Sequence, residues 1–412
     1  MPILNTVFEK SLSDNLTKSL GNMIISGVEN EGTKTLYFNM LSEMLKAKKT
    51  IILVNGSLSN DTHRVINNYL RPHLIGRKVY DFNYTGASST VDILSAFDSV
   101  DKKADFIVVM LSALSDIPEL LKNKAQRFYT YAMTALDLLR KPYTLKDLIM
   151  MDVDYVVDLV NSSPMSDLEK NRCLRFLSDT SMYSSFLDIE TSLVKLESSG
   201  LCNILSGSDK MIDVISDGNV IMLSGLLSDD FQKKELLFNL LFYALGKSLE
   251  TYKSSSKVNF LIKDADFIAG DHIKQSLEYN TSYDYATYMF IDDISRYISK
   301  NGNEILDMTK SFLIFNQGSD DNASFWSAFF GSRDVQEKSF SYTKKKSWNP
   351  FSNMWDNGGV VSTPRNYSTA TQSFQKVNKP IYRPEVFREL RPKEVMCYLR
   401  EPLMRRKTNI EG

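Results

Sequence analysis

Short β-rich runs separated by helical lengths occupy both ends of this chain, but between Asp116 and about Gly200 the strand signal gives way to consecutive amphipathic helices. Strands alternating with helices predict a parallel α/β sheet. The interruption, roughly 85 residues and so within the usual domain range, reads as an all-α domain inserted into that sheet rather than as a second sequential domain. A length of 412 residues, more than one core usually covers, agrees with that partition.

The pattern can be followed along the chain. A helical stripe at Leu36–Ala47 leads through Lys48 and Lys49 into Ile51-Ile52-Leu53-Val54, a short buried strand closed by Asn55-Gly56. From Asp61 the positions Val65, Ile66, Tyr69 and Leu70 form another stripe, which Pro72 ends. Arg77–Tyr84 is a second predicted strand and Ala104–Met110 a third. Ala125, Phe128, Ala132, Ala135, Leu136 and Leu139 then give one amphipathic helix, and Thr144-Leu145 with Leu148 begins another. Strand signals return at Asn219–Leu223, Val258–Ile262, Thr287–Ile291 and Ser311–Phe315, with a helix at Lys233–Leu249. Ser352–Phe374 is rich in Ser, Thr, Asn and Gly and predicts a flexible loop or linker. Beyond it, Lys376–Lys407 carries ten Lys/Arg against four Glu, a basic tail on a chain whose net charge is −1. No internal repeat is apparent.

Composition narrows the function classes. The overall charge balance argues against a uniformly basic nucleic-acid coat. Cys173, Cys202 and Cys397 form no CxxC pair, and His63, His73 and His272 are equally scattered, so a reducing compartment is expected and a Cys/His metal site is not. The opening residues lack a secretory signal pattern. The longest apolar stretches, Ala104–Ala113 and Leu236–Leu245, fall short of the ~18–20 residues that span a bilayer, so membrane attachment is expected only through a partner. No nucleophile with a suitably spaced His or Asp partner supports a hydrolase or oxidoreductase.

The strand–loop–helix at Ile51–Leu70 has the context of a phosphate-binding loop. Such loops aim backbone N–H groups and a Lys at phosphates and use a Ser/Thr hydroxyl to hold Mg²⁺. Here the loop is Asn55-Gly56-Ser57-Leu58-Ser59-Asn60-Asp61-Thr62; Asp61 stands where the Lys would be, Asn55 and Asn60 replace the fixed glycines, and only Thr62 matches. A carboxylate ~4 Å from a phosphate costs about 1 kcal/mol in water and about 4 at an effective dielectric near 20. The loop is thus expected to repel a triphosphate, and it reads equally as a strand-to-helix turn capped by Asp61 or Thr62. A second nucleotide element, an apolar strand ending in Asp-Glu, is represented by Phe260-Leu261-Ile262-Lys263 followed by Asp264 and Ala265. The aspartate is present and the water-polarising glutamate is absent.

In order and spacing the chain resembles the cytoplasmic part of type IV secretion coupling proteins, the TraD/TraG-like ring ATPases of conjugation. Asp81 followed by Val91-Asp92-Ile93-Leu94-Ser95-Ala96-Phe97-Asp98 resembles the family's D-x-I-L-N-P-x-D element, with Asn and Pro replaced. Ala125–Arg140 and Thr144-Leu145-Lys146-Asp147-Leu148 look like the first helix of its all-α domain and the T-L-x-x-L element. Ile291–Tyr297 with Asn301-Gly302 is similar to the gate motif, with Asp292 in place of the γ-phosphate-sensing Gln. Gly331, Ser339 and Ser341 fit the Gly…Ser-x-Ser turn, and Pro392-Lys393-Glu394-Val395 fits the P-x-E-[IV] segment. The subunit-bridging arginine of the family has no counterpart between Thr251 and Ser295, nor do family membrane helices precede Ile51.

The resemblance implies a RecA-like P-loop NTPase sheet domain, residues 1–115 and 205–412, with a flexible loop at 352–375 and a basic tail at 376–412, interrupted by an all-α domain at 116–204. Asp61, Ala265, Asp292 and the missing arginine all fall on nucleotide chemistry. They imply a degenerate member, a pseudo-ATPase adaptor without resident cofactor, that docks on secretion or conjugation machinery, including a membrane-anchored active coupling ATPase, at the cytoplasmic face of the membrane. Two alternatives remain at this stage. In one, the chain is an active, oligomeric ATPase that moves DNA or protein, with Gly56, Asn60 and Thr62 holding ATP, Thr62 and Asp264 holding Mg²⁺, and Lys48, Lys49 or a neighbouring subunit supplying the cation. In the other, it is a non-catalytic nucleic-acid-binding module using Lys344, Lys345 and Lys346 beside Trp348 and Phe351, or Arg405, Arg406 and Lys407.

Overall fold

The computed structural model describes residues 22–47, 49–55, 74, 76–82, 88–114, 117–179, 182, 185–187, 189–190, 193–194, 197, 200–216, 218–224, 231–251, 258–263, 273–274, 277–278, 286–345, 367–400 and 404–409. For residues 55, 114, 224, 231–235, 238, 251, 336–345, 367–377 and 404–409 only the backbone is described. The chain divides into two compact units, residues 1–318 with 390–412, and Ser319–Glu389.

The first unit is built on a nine-stranded sheet. Its strands are β1 (Met23–Ser26), β2 (Thr50–Asn55), β3 (Val79–Phe82), β4 (Val220–Ser224), β5 (Val258–Lys263), β6 (Ala286–Ile291), β7 (Ser311–Ile314), β10 (Glu394–Leu399) and β11 (Met404–Asn409). They lie in the order β11-β10-β7-β1-β6-β5-β2-β4-β3. Strands β1 to β7 pair in parallel, and β10 and β11 extend the sheet antiparallel beyond β7. All residues of β1 and β6 are buried, as a parallel sheet covered on both faces requires.

Helix α1 (Glu31–Lys46) covers one face. Asn30 caps it, accepting from Thr33 N at 3.0 Å, while Thr33 Oγ1 accepts from Asn30 N at 2.9 Å, a reciprocal capping box. Leu36, Met40, Leu41 and Met44 then pack with Ile25, Leu53, Leu261 and Tyr288 in one core. Side chains alternate along β5, so Phe260 faces the other way. There it meets Phe242 of α9 (Phe231–Thr251), ring centroids 5.5 Å apart.

Ala104–Met110, expected as a strand, lies instead in helix α2 (Val100–Leu114). Ala104, Ile107 and Leu111 with Phe106 and Met110 are all buried, a three-and-four spacing that a continuous apolar run disguises. Among the described residues the helical expectation downstream holds: α3 (Glu119–Leu138), α4 (Leu145–Ile149), α5 (Val153–Ser162) and α6 (Asp167–Leu177) follow without a strand. Short helices α7 (Leu201–Leu205) and α8 (Met211–Val214) lead back to β4. Among the described residues no helix is long and apolar enough to cross a membrane.

The expectations for the C-terminal third need correcting. Of the stretch expected as a flexible loop, residues 367–375 belong to β9 (Tyr367–Pro380), paired along its whole length with β8 (Ser332–Lys345). The expected basic tail contains the end of β9, helix α13 (Pro384–Arg388), and β10 and β11 of the main sheet. In the second unit, Trp326 and Phe330 of α12 (Asp320–Phe330) and Phe387 of α13 are buried; Phe330 stacks on Phe387 at 5.7 Å and meets Tyr382 edge-on at 5.1 Å. Between α10 (Ile294–Asn301) and β7 lies the single turn α11 (Glu304–Asp307).

Candidate nucleotide site at the carboxyl edge of the sheet

In an open parallel sheet, ligands bind beyond the carboxyl ends of the strands. Asn55 at the end of β2 pairs with Ser224 of β4 on one side and Lys263 of β5 on the other. The two loops with nucleotide-site character therefore leave adjacent strand ends. Their chemistry-bearing residues, Gly56, Asn60, Asp61, Thr62, Asp264 and Ala265, lie outside the described residues, as do Lys48 and Lys346.

What is described around that edge is already committed. Lys263 Nζ lies 3.0 Å from Glu29 Oε1, and Lys34 Nζ reaches the same oxygen at 3.6 Å. Burial by itself would raise the Glu29 carboxyl, but the hydrogen bond and charge of Lys263, with Lys34 adding, hold it below the usual carboxylate range. The cation at the end of β5 is thus neutralised within the chain. Lys49 precedes β2 and sits at the opposite, amino edge, where its carbonyl accepts from Arg77.

Asp292 follows β6 directly and is exposed. Next to it, Asp293 caps α10 by accepting from Arg296 N at 3.1 Å. Asn301 and Gly302 close the same helix: Asn301 Nδ2 donates to Tyr297 O at 3.0 Å and Gly302 takes φ 87°. The gate-like motif is thereby a capped helix beside the candidate site. Sequence reading missed Gln317, buried where β1 and β7 end. Its Nε2 donates to Ser26 O (3.2 Å) and Phe315 O (2.8 Å), while Ser26 Oγ donates to its Oε1 at 3.3 Å. Gly27 lets these ends converge, because a Cβ there would lie 2.8 Å from Asn316 O.

The remaining family-like segments act as joints. Asp92 caps the 3₁₀ turn Ile93–Ala96, and burial raises its carboxyl above the ordinary range. Around it the entry and exit of the helical run are laced together: Val91 N donates to Ile204 O (2.8 Å), Gly207 N to Val91 O (3.0 Å), Asp92 N to Asp209 O (2.8 Å) and Met211 N to Ser95 Oγ (2.8 Å). Thr144 and Asp147 form a capping box on α4, whose Lys146 N donates to Ser206 Oγ at 2.9 Å. A Cβ on Gly207 would lie 2.5 Å from Thr90 C and 2.6 Å from Val91 N, and this backbone cannot move aside cheaply. Gly207→Ala is therefore expected to cost about 1–3 kcal/mol, read as a lower urea midpoint at unchanged m-value.

Gly331 (φ 78°) turns the chain from α12 into β8, and Ser339 and Ser341 are mid-strand ladder positions opposite Ser373 and Thr371. Pro392 abuts α1, its carbonyl filling the space where a Gly32 Cβ would be, and Glu394 opens β10. Lys344 and Lys345 end β8, whereas Arg405, Arg406 and Lys407 lie in β11 opposite Tyr398, Cys397 and Met396.

No protein-family model matches the sequence, and no curated protein is similar to it at the sequence level. Solved structures do share its architecture. The unbound bacterial conjugative coupling protein TrwBΔN70 is 10% identical with a TM-score of 0.58, covering 95% of this chain and 85% of its own. TrwB in complex with the ATP analogue ADPNP is 9% identical at 0.59, covering 96% and 86%. VirB4 of Thermoanaerobacter pseudethanolicus is 10% identical at 0.58, covering 98% and 92%. At such identity the likeness concerns the fold alone, and this chain shares the RecA-like α/β fold of TrwB and VirB4.

Proposed function

We propose that the chain is a catalytically degenerate, coupling-protein-like component of a type IV secretion or conjugation system, an adaptor that keeps the ATPase fold without ATP chemistry. One observation carries the reading: the strand ends that should frame a nucleotide are adjacent, yet the loops leaving them carry Asp61 for Lys and Ala265 for Glu, and the cation between them, Lys263, is already paired with Glu29. These residues do not fit a Mg²⁺-triphosphate. Asp61 would stand at the phosphates, and the described lysine would have to leave its carboxylate.

In this reading residues 116–204 form an inserted all-α domain within a sheet domain made of 1–115 and 205–412. The interior laced around Val91 and Gly207 supports such a joint, since it ties the chain ahead of the insert, Val91–Ser95, to the chain at and just beyond its end, Ile204–Met211. The adaptor would act at the cytoplasmic face of the membrane, bound to the transfer machinery and reaching it through an anchored partner.

The test is equilibrium binding of a fluorescent ATP analogue with Mg²⁺. The expected result is no saturation at low-micromolar protein. Low-micromolar affinity that is lost on Asp264→Ala would overturn the reading in favour of an active ATPase. Asp61→Lys should gain measurable affinity if the loop retains its turn, because it exchanges a repulsive charge for an attractive one.

A further inference from the structure

The helical run between α3 and α6 carries two surfaces of opposite charge. Helix α3 places Arg127 and Tyr131 one turn apart, and α6 places Arg172 and Phe176 at the same spacing with Arg175 beside them. The Phe176 ring joins the two helices: Tyr131 meets it edge-on at 5.6 Å, and the Arg127 guanidinium lies 6.0 Å from its centre. All three arginines are exposed, and among the described residues none of them forms an ion pair. Arg388 and Arg400, by contrast, lie against Asp320 and Asp307. Carboxylates on α6 are confined to its first turn, Asp167 and Glu169, and Asp179 follows its end. Glu169 is taken up in the cap, where its Oε2 accepts from Ser166 N at 3.2 Å and from Ser166 Oγ at 2.7 Å.

The second surface lies on α4 and α5. From Asp147 to Glu169 the sequence has six Asp or Glu and no Lys or Arg. Asp152, Asp154 and Asp158 are exposed, and Met150 and Tyr155, 64% and 47% exposed, stand among them. Asp154 and Asp158 are one turn apart on α5, with Tyr155 beside them.

We infer that the arginine surface of one copy of this chain binds the aspartate surface of another, which makes the helical insert a self-association module. The charges are complementary, and a guanidinium fork takes a carboxylate through two parallel hydrogen bonds, which a lysine cannot do. Arg, Tyr, Phe and Met are the residues that protein–protein interfaces favour, and each surface sets two apolar or aromatic side chains beside its charges: Tyr131 and Phe176 on one, Met150 and Tyr155 on the other. Because the two surfaces differ, the contact is head-to-tail, each copy offering one surface to the copy before it and the other to the copy after. It uses no residue of the nine-stranded sheet. The inference goes beyond the adaptor reading, and nucleotide binding, found or absent, does not bear on it.

Sedimentation of the full chain over a concentration series tests the contact at about 0.1 M and about 1 M salt, between which the screening length falls from about 10 Å to about 3 Å. The parent should exceed the monomer mass at the lower salt and return to it at the higher. Arg172→Glu with Arg175→Glu, and separately Asp154→Lys with Asp158→Lys, should each weaken association about tenfold or more. An equimolar mixture of the two variants should associate again, since each supplies the surface that the other has lost and the two reversed surfaces also match. Arg383→Glu with Arg391→Glu, which changes the net charge as the first pair does but outside the insert, should leave association unchanged. A urea midpoint near the parent protein's establishes that each variant folds. A parent that is monomeric at both salts, association that survives the higher salt, an equal loss in the control pair, or no recovery in the mixture would overturn the proposal. Labelled polyglutamate bound by a parent that stays monomeric would assign the arginines to an outside acidic partner and overturn it as well.

Discussion

Replacing Trp326 with alanine is expected to unfold the Ser319–Glu389 unit, at a cost of about 3–5 kcal/mol. Trp326 is completely buried, with Phe325 and Phe329 edge-on at 5.3 Å on either side along α12. The described core of this unit is otherwise small, consisting chiefly of Ala323, Phe330 and Phe387, with Tyr382 edge-on to Phe330. A unit of this size buries a modest fraction of its surface and has only a few kcal/mol in reserve, so the indole's contribution is comparable to the whole. Trp326→Phe, which leaves a smaller void, should recover more than half of the loss. Hydrogen exchange followed by mass spectrometry separates the outcomes: amides of β8 and α13 should lose protection in Trp326→Ala while those of β4 and β5 keep theirs. Retained protection in β8 and α13 would mean that the hairpin and its helices are held by something other than this aromatic core.

Much of the sheet was legible in sequence because its strands advertise burial. β2, β4, β5, β6 and β7 are near-continuous apolar runs, which is what strands covered on both faces must be. The same property misled at Ala104–Met110, where a buried helix also gives a continuous apolar run and only its three-and-four burial spacing distinguishes it. β1 escaped notice because Met23-Ile24-Ile25-Ser26 is too short to show a period, although it sits between β6 and β7 and positions Gln317. β8 and β9 were invisible for the opposite reason: Ser, Thr, Gln and Lys dominate them, and their strand character arises from pairing with each other. β10 was hidden by counting charge across a segment whose basic residues flank a buried Val395-Met396-Cys397.

Residue identity carried the candidate site only so far. That Asn55 ends a strand and Lys263 ends another could be read locally; that the two are paired neighbours required the topology, because β3 and β4 intervene in sequence but lie on the other side of β2 in the sheet. The pairing of Lys263 with Glu29 joins residues more than two hundred positions apart and has no local signal. Capping was more legible: Asp92, Thr144 and Asp293 each precede a helix with the side-chain acceptor that its first turn requires.

The amino edge of the sheet depends on one guanidinium, so Arg77→Met is expected to lower stability by about 2–4 kcal/mol. Arg77 donates to three backbone carbonyls from three places in the chain: Leu45 O near the end of α1 at 3.2 Å, Lys49 O before β2, and Gly218 O before β4. Around it, Thr50 Oγ1 donates to Ser216 O at 3.1 Å and accepts from Gly218 N at 2.9 Å, and Ile51 N donates to Asn219 O at 3.0 Å. Hydrogen bonds from a charged donor contribute about 1.5–3 kcal/mol each, and three made by one group add up to less than their sum. Methionine keeps most of the apolar stem and removes the fork, leaving the carbonyls to find water in a partly buried seam. Arg77→Lys should recover less than half of the loss, since an ammonium is a point donor and cannot span acceptors that the planar fork reaches at once. Urea unfolding reads the loss as a lower midpoint at unchanged m-value. Full recovery by lysine would show that charge alone, rather than the geometry of the fork, holds the ends of α1, β2 and β4 together.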